Sequence, residues 1–157
     1  RQIKLICLFK CYKIIKENKK YAIMCIERCE TMKFNSLIPE LSVTNIEKSR
    51  MFYESLGFQI KYSRPKFYFL ELEENQLMIE EMNDNWNVGK LEYPFGRGMN
   101  ISMTVSDIDT FYKKVQEQKI KIFVALKVSE YVVDGITYQD KEFLIQDPDG
   151  YLLRFNN

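Results

Sequence analysis

What most limits the fold open to this chain is an internal repeat. Val43-Thr44-Asn45-Ile46-Glu47 is matched, with conservative changes, by Val105-Ser106-Asp107-Ile108-Asp109. A few residues on, Phe52-Tyr53 is echoed by Phe111-Tyr112. A repeat of this kind fixes the architecture first, because one supersecondary unit must serve twice. Residues 35–58 read as strand, turn, helix, turn, and residues 100–120 are their degenerate copy.

The elements follow from period and punctuation. Residues 35–43 alternate, with Leu37, Pro39, Leu41 and Val43 on one face and Ile38, Glu40 and Ser42 on the other. Pro39 has no donor, so it predicts an edge strand. Thr44 or Asn45 caps a helix whose inner stripe is Ile46, Ser49, Tyr53 and Leu56, and Gly57 ends it. Strands follow at 58–63, 67–72 and 76–82, completing a β-α-β-β-β unit. Residues 83–98, with Gly89, Pro94, Gly96 and Gly98, read as the connection to the second unit. There, 99–105 alternates, Asp107 caps a helix, and Ile108, Phe111, Tyr112 and Val115 form its apolar face. Strands are expected at 120–128, 141–146 and 151–155, with 129–140 a loop or irregular hairpin. Asp147-Pro148-Asp149-Gly150 is a turn, since Pro presets φ, Gly closes it and the carboxylates accept backbone donors. The fold class expected is α+β, two tandem β-α-β-β-β units.

Absences narrow the chemistry. The 157 residues include no histidine. That excludes His-based acid–base catalysis, His-assisted nucleophiles and His-ligated metals. Net charge is +1, so no basic field for nucleic acid is implied. Residues 1–31 hold 8 Lys/Arg against 3 acids, leaving 15 against 19 in the repeated region. All four cysteines, Cys7, Cys11, Cys25 and Cys29, lie in residues 1–31. Their spacing is not that of a zinc finger or ribbon. The apolar run 5–9 is too short to span a membrane. Residues 1–31 are therefore read as a non-domain extension, non-native or disordered, and 32–157 as a single domain: unit one 33–82, linker 83–98, unit two 99–157.

Pro39-Glu40-Leu41-Ser42-Val43, Phe52-Tyr53, Leu56-Gly57-Phe58 and residues 147–155, Asp-Pro-Asp-Gly-Tyr-Leu-Leu-Arg-Phe, resemble the glyoxalase/bleomycin-resistance/dioxygenase family. The resemblance implies that the two units curl into the halves of an open barrel around a cleft, and that the chain dimerises. Metal-dependent members carry a ligand on the first and last strands of each unit. Those positions fall here at Ile38, Glu80, Asn100 and Arg154. Of these only Glu80 is a competent ligand, and Arg154 brings a fixed positive charge instead. No metal and no cofactor are expected.

What remains resembles the bleomycin-resistance branch, whose members bind a drug without altering it. The Leu-Leu-Arg-Phe ending is like theirs, as is a tryptophan just past the fourth strand, here Trp86; where some of them have a Trp-Gly pair before the penultimate strand, this sequence departs and Tyr138 is the substitute. The implied ligand-binding residues are Ile38, Glu40, Met78, Glu80, Trp86, Asn100, Ser102, Tyr138 and Arg154, with Glu80 and Arg154 expected to pair. The function expected is sequestration of an antibiotic or similar aromatic or cationic compound by a cytoplasmic homodimer, with no nucleic-acid or membrane partner. The alternatives are a lyase, isomerase or dioxygenase of the same fold, its metal held by carboxylates such as Glu40 and Glu80, and a dimeric scaffold without a ligand.

Overall fold

Each copy of the repeat begins where its sequence says. Asn45 and Asp107 both leave the helical region of backbone space and accept N–H groups of the first turn, from Lys48 at 2.9 Å and Thr110 at 3.0 Å. That satisfies donors the helix cannot pair internally. Gly57 ends the first helix at φ 109°, where a side chain would be strained and a Cβ would meet Lys114 Nζ.

The computed structural model describes residues 32–83, 85 and 89–157. The expectations placed on residues 1–31 and on Trp86 lie outside them. Asn35–Asn157 form one compact unit. The elements run β1 (Glu40–Val43), α1 (Ile46–Leu56), β2 (Gln59–Arg64), β3 (Phe67–Leu72), β4 (Asn75–Glu81), β5 (Asn100–Thr104), α2 (Ile108–Glu117), β6 (Ile122–Val133), β7 (Ile136–Gln146) and β8 (Leu152–Asn156). They build two sheets, ordered β1-β4-β3-β2 and β5-β8-β7-β6, each with one parallel pair at the β1 or β5 edge. The sheets are not closed into a barrel. Pro39 stands just before β1, which is an edge strand as its missing donor required.

One face of each sheet packs under its helix. Leu41, Val43, Leu70, Leu77 and Ile79 from the first sheet and Ile101, Met103, Phe143, Ile145, Leu153 and Phe155 from the second are buried in a common core. The α1 stripe Ile46, Ser49, Tyr53 and Leu56 is buried as expected. On α2, Ile108 and Val115 are buried while Phe111 and Tyr112 are only partly so. Among the described residues no helix is long and apolar enough to cross a membrane.

The repeats clamp each other reciprocally. Asp149, in the β7–β8 turn, accepts the Thr44 amide at 3.1 Å and hydroxyl at 2.5 Å. Glu73, in the β3–β4 turn, does the same for Ser106, at 2.9 and 3.0 Å. Thr44 and Ser106 are equivalent positions of the repeat, so an approximate twofold relates the two clamps. The 147–150 turn is a hub as well as a turn. Gly150 N–H bonds Asp147 C=O at 3.0 Å, and Phe95 N–H bonds Asp149 C=O at 2.9 Å. Gly150 sits at φ 93°, and a Cβ there would come within 2.5 Å of Pro94.

Residues 129–140 are not a loop. The β6–β7 ladder runs unbroken from Val128↔Lys141 to Val133↔Ile136, closed by Asp134-Gly135. Both turn residues have left-handed φ, 52° and 78°. The two-residue hairpin turn that matches strand twist requires such values.

Candidate functional site

Strand register sets what lies on the sheet faces turned away from the helices. In the first repeat two rows cross all four strands. Ser42, Glu80, Phe67 and Arg64 are register neighbours in one; Glu40, Met78, Phe69 and Tyr62 in the other. Tyr68 and Leu70 point the other way, Tyr68 reaching Glu47 on α1 with a 2.7 Å hydrogen bond. The register thus puts Tyr68 and Leu70 on the helix side and Phe67 and Phe69 on the opposite face.

The first face is apolar with a small ionic centre. Phe67 and Phe69 are buried, and Met78 is half-buried. The Arg64 guanidinium lies 4.0 Å from the Phe67 ring centroid and pairs with Glu80 at 2.9 Å. A guanidinium can do both, since its edge donates while its plane stacks. Burial, and then the neighbouring Glu80 carboxylate, raise the pKa of Glu40, while Arg64 pulls it back. Among the described residues this face carries two carboxylates, Glu40 and Glu80, and one guanidinium. Ile38, half-buried, precedes β1 rather than lying in it.

The second face is ionic. Its matching rows are Thr104, Asn156, Glu142 and Lys127, then Ser102, Arg154, Leu144 and Val124. Glu142 is buried and takes Lys127 at 2.8 Å and the Arg154 Nε. Arg154 also meets Asp140 at 3.3 Å. The Lys127 hydrogen bond, helped by Arg154, holds the Glu142 carboxyl below its usual range against the pull of burial. Asn156 donates to Ser102 Oγ at 3.0 Å and accepts from Thr104 at 2.9 Å. Asn100 and Ser102 are exposed on β5. Tyr138 lies farther out on β7, stacked on Tyr131 with ring centroids 5.7 Å apart.

The expected ion pair between Glu80 and Arg154 is absent, and each has another partner. The repeat register explains it. With Val43 equivalent to Val105, Glu80 corresponds to Asn156, and Arg154 to Met78. The two charges therefore sit in different rows. Arg154 finds carboxylates on the adjacent β7, so it has no need of the other sheet. Arg64, Glu142, Asp140 and Lys127 were missed from sequence. Alternation of Asp140, Glu142, Leu144 and Gln146 was the available signal, but only cross-strand register shows which bases oppose them.

The residues at the family's metal positions do not fit a metal. Ile38 has no donor atom, Arg154 is committed to two carboxylates, and the register puts unit one's last-strand position at Met78, the counterpart of Arg154, rather than at Glu80 as the sequence reading placed it. Among the described residues no three of His, Cys, Asp and Glu are grouped as metal ligands.

The sequence profile described as the Glyoxalase/Bleomycin resistance protein/Dioxygenase superfamily matches residues 33–155. No curated protein matches the chain. Among solved structures, a glyoxalase/bleomycin resistance protein/dioxygenase from Alicyclobacillus acidocaldarius is similar at 21% identity and TM-score 0.57, covering 80% of this chain and 93% of that one. A bleomycin-binding protein complexed with bleomycin is similar at 19% identity and TM-score 0.56, covering 79% of this chain and 98% of that one. A bleomycin resistance determinant encoded on transposon Tn5 has the same identity, TM-score and coverage. At these identities the likeness concerns the fold.

Proposed function

The chain belongs to the glyoxalase/bleomycin resistance protein/dioxygenase superfamily, and from that premise we propose that it binds an organic small molecule without transforming it. The observation that carries this is the first face: Met78 and Glu40 beside the Arg64–Glu80 pair, backed by the buried rings of Phe67 and Phe69. An apolar wall with few, fixed polar groups suits an organic ligand. The exposed Glu40 carboxylate and the partly exposed Arg64 guanidinium offer such a ligand an acceptor and a donor. The second face, with Asn100, Ser102, Arg154 and farther out Tyr138, supplies orientation. The bleomycin-binding neighbour supports an antibiotic or similar aromatic cation as the ligand class. The protein acts as a cytoplasmic homodimer; the cysteine-free repeats are consistent with a reducing compartment.

The test is a thermal-shift and calorimetric panel of bleomycin-type glycopeptides, planar aromatic cations and divalent metals. Binding of an organic cation at one per chain, recovered unchanged and weakened by Phe67→Ala, is the expected result. Stabilisation by divalent metals alone, lost in Glu40→Gln or Glu80→Gln, would favour a carboxylate-held metal enzyme instead.

A further inference from the structure

We propose that the β-ribbon of residues 128–139 is a docking arm for a second copy of this chain, which it meets edge to edge through β6. This rests on the homodimer reading above and names the surface that would make it.

The two repeats differ most in this element. In the first repeat β2 and β3 are six residues each and stop at Arg64 and Phe67. In the second, β6 has 12 residues and β7 has 11. Strand β8 pairs with β7 only between Glu142 and Gln146, so the ribbon beyond has just two strands. Every residue from 127 to 139 is exposed. The first repeat completes the same unit without such a ribbon, so the unit's own fold does not require it.

Its composition is not that of a solvated hairpin. Val128, Tyr131, Val132, Val133, Ile136 and Tyr138 are all large, apolar and exposed, Val132 at 67%. They occupy both faces: Tyr131 and Val133 oppose Tyr138 and Ile136 on one, while Val128 and Val132 lie on the other. A lone two-stranded ribbon is marginal in water and needs covering. Natural edges are usually blunted with lysine or proline. Here residues 128–139 contain neither, and β6 is the outermost strand of its sheet.

A second copy fits this surface better than the alternatives. Glu130 and Asp134 are its only charges, which disfavours an anionic membrane or nucleic acid. Two antiparallel β6 strands about a twofold would satisfy each other's outward backbone groups. Centred on Ser129, that pairing sets Lys127 across from Tyr131 and Val128 across from Glu130, with no like charges opposed. A specific interface buries roughly 800 Å² on each partner. Two tyrosines and four aliphatic side chains on each arm would form the apolar centre of such a patch.

The decisive experiment is analytical ultracentrifugation of the full chain and of a shortened one. Deleting residues 130–133 and 136–139 together leaves Asp134-Gly135 closing the Ser129–Asp140 pair, and spares the Arg154 partners. The expected result is a wild-type dimer, a shortened monomer with cooperative unfolding retained, and β6 amide protection that fades on dilution. Should the shortened chain fail to fold, full-length Val128→Lys with Val132→Lys decides, with loss of the dimer expected. A wild-type dimer that survives these changes would overturn the arm while leaving the homodimer reading intact. A wild-type chain monomeric at every concentration would overturn both, and the ligand panel would still test the small-molecule reading separately.

Discussion

Replacing Asp147 with asparagine should remove one large pH-dependent contribution to stability. The carboxylate is 4% exposed, at the hub between the repeats. Its Oδ2 accepts the Tyr53 hydroxyl at 3.0 Å, and its Oδ1 accepts the Asp149 and Tyr151 amides at 3.0 and 2.8 Å. Those donors favour the ionised form, but burial outweighs them and raises the pKa from 3.8 to about 6. Burial likewise pushes the Tyr151 phenol up to about 12, and Tyr53 rises well above its usual value.

A folded-state pKa above the unfolded one means that the folded chain holds the proton more tightly. The resulting stability is fully present below the unfolded value and is lost as pH rises through the folded one. Two units at about 1.4 kcal/mol each make it roughly 3 kcal/mol, a large share of a typical domain's 5–15. Glu142, held low by Lys127 and Arg154, has the opposite slope, losing stability as pH falls. Wild type must therefore be compared with Asp147→Asn, in which every other titration is shared. Urea unfolding of both, from about pH 4 to about pH 7.5, should show wild type gaining up to about 3 kcal/mol on the variant as pH falls. A difference independent of pH, or one growing with pH, would refute the assignment of a buried, readily protonated carboxylate.

Three further outcomes are expected. Glu142→Gln leaves Arg154 and Lys127 without their shared carboxylate; because both bases are partly exposed, the loss in urea unfolding should be about 1–3 kcal/mol rather than the full value for a buried pair. Gly150→Ala forces a side chain into left-handed backbone and onto Pro94, so its thermal unfolding should show a loss of roughly 2–4 kcal/mol. Ser49 is fully buried on α1, and its hydroxyl has no hydrogen-bond partner among the described residues, so Ser49→Ala should stabilise by about 0.5–1 kcal/mol in the same assay.

The 129–140 segment shows why one element was only half legible in sequence, as a loop or an irregular hairpin. Its turn signal, Asp134-Gly135, was visible, yet the strands on either side were not extended to it. Alternation marks a strand only when one face meets a core and the other meets water. This ribbon has solvent on both faces, so valine and tyrosine fall on each and the period is lost. Strand β1, shorter than the alternating run before it, shows the converse. Residues 35–39 carry the pattern but pair little; Asn35 is held instead by side-chain bonds to Glu74 and Gln76.

The sequence alone determined the doubled unit, its helix caps and inner stripes, the Asp147-Gly150 turn and the absence of histidine chemistry. These depend on neighbours along the chain, where spacing is fixed by covalent geometry. Only the tertiary structure decided which charges meet. Glu80 chose Arg64, and Arg154 chose Glu142 and Asp140, because a shift of one register row separates two strand positions that look equivalent in sequence. Cross-strand register is set by packing of the whole sheet, and an ion pair forms with whichever opposite charge that packing brings within a few ångströms.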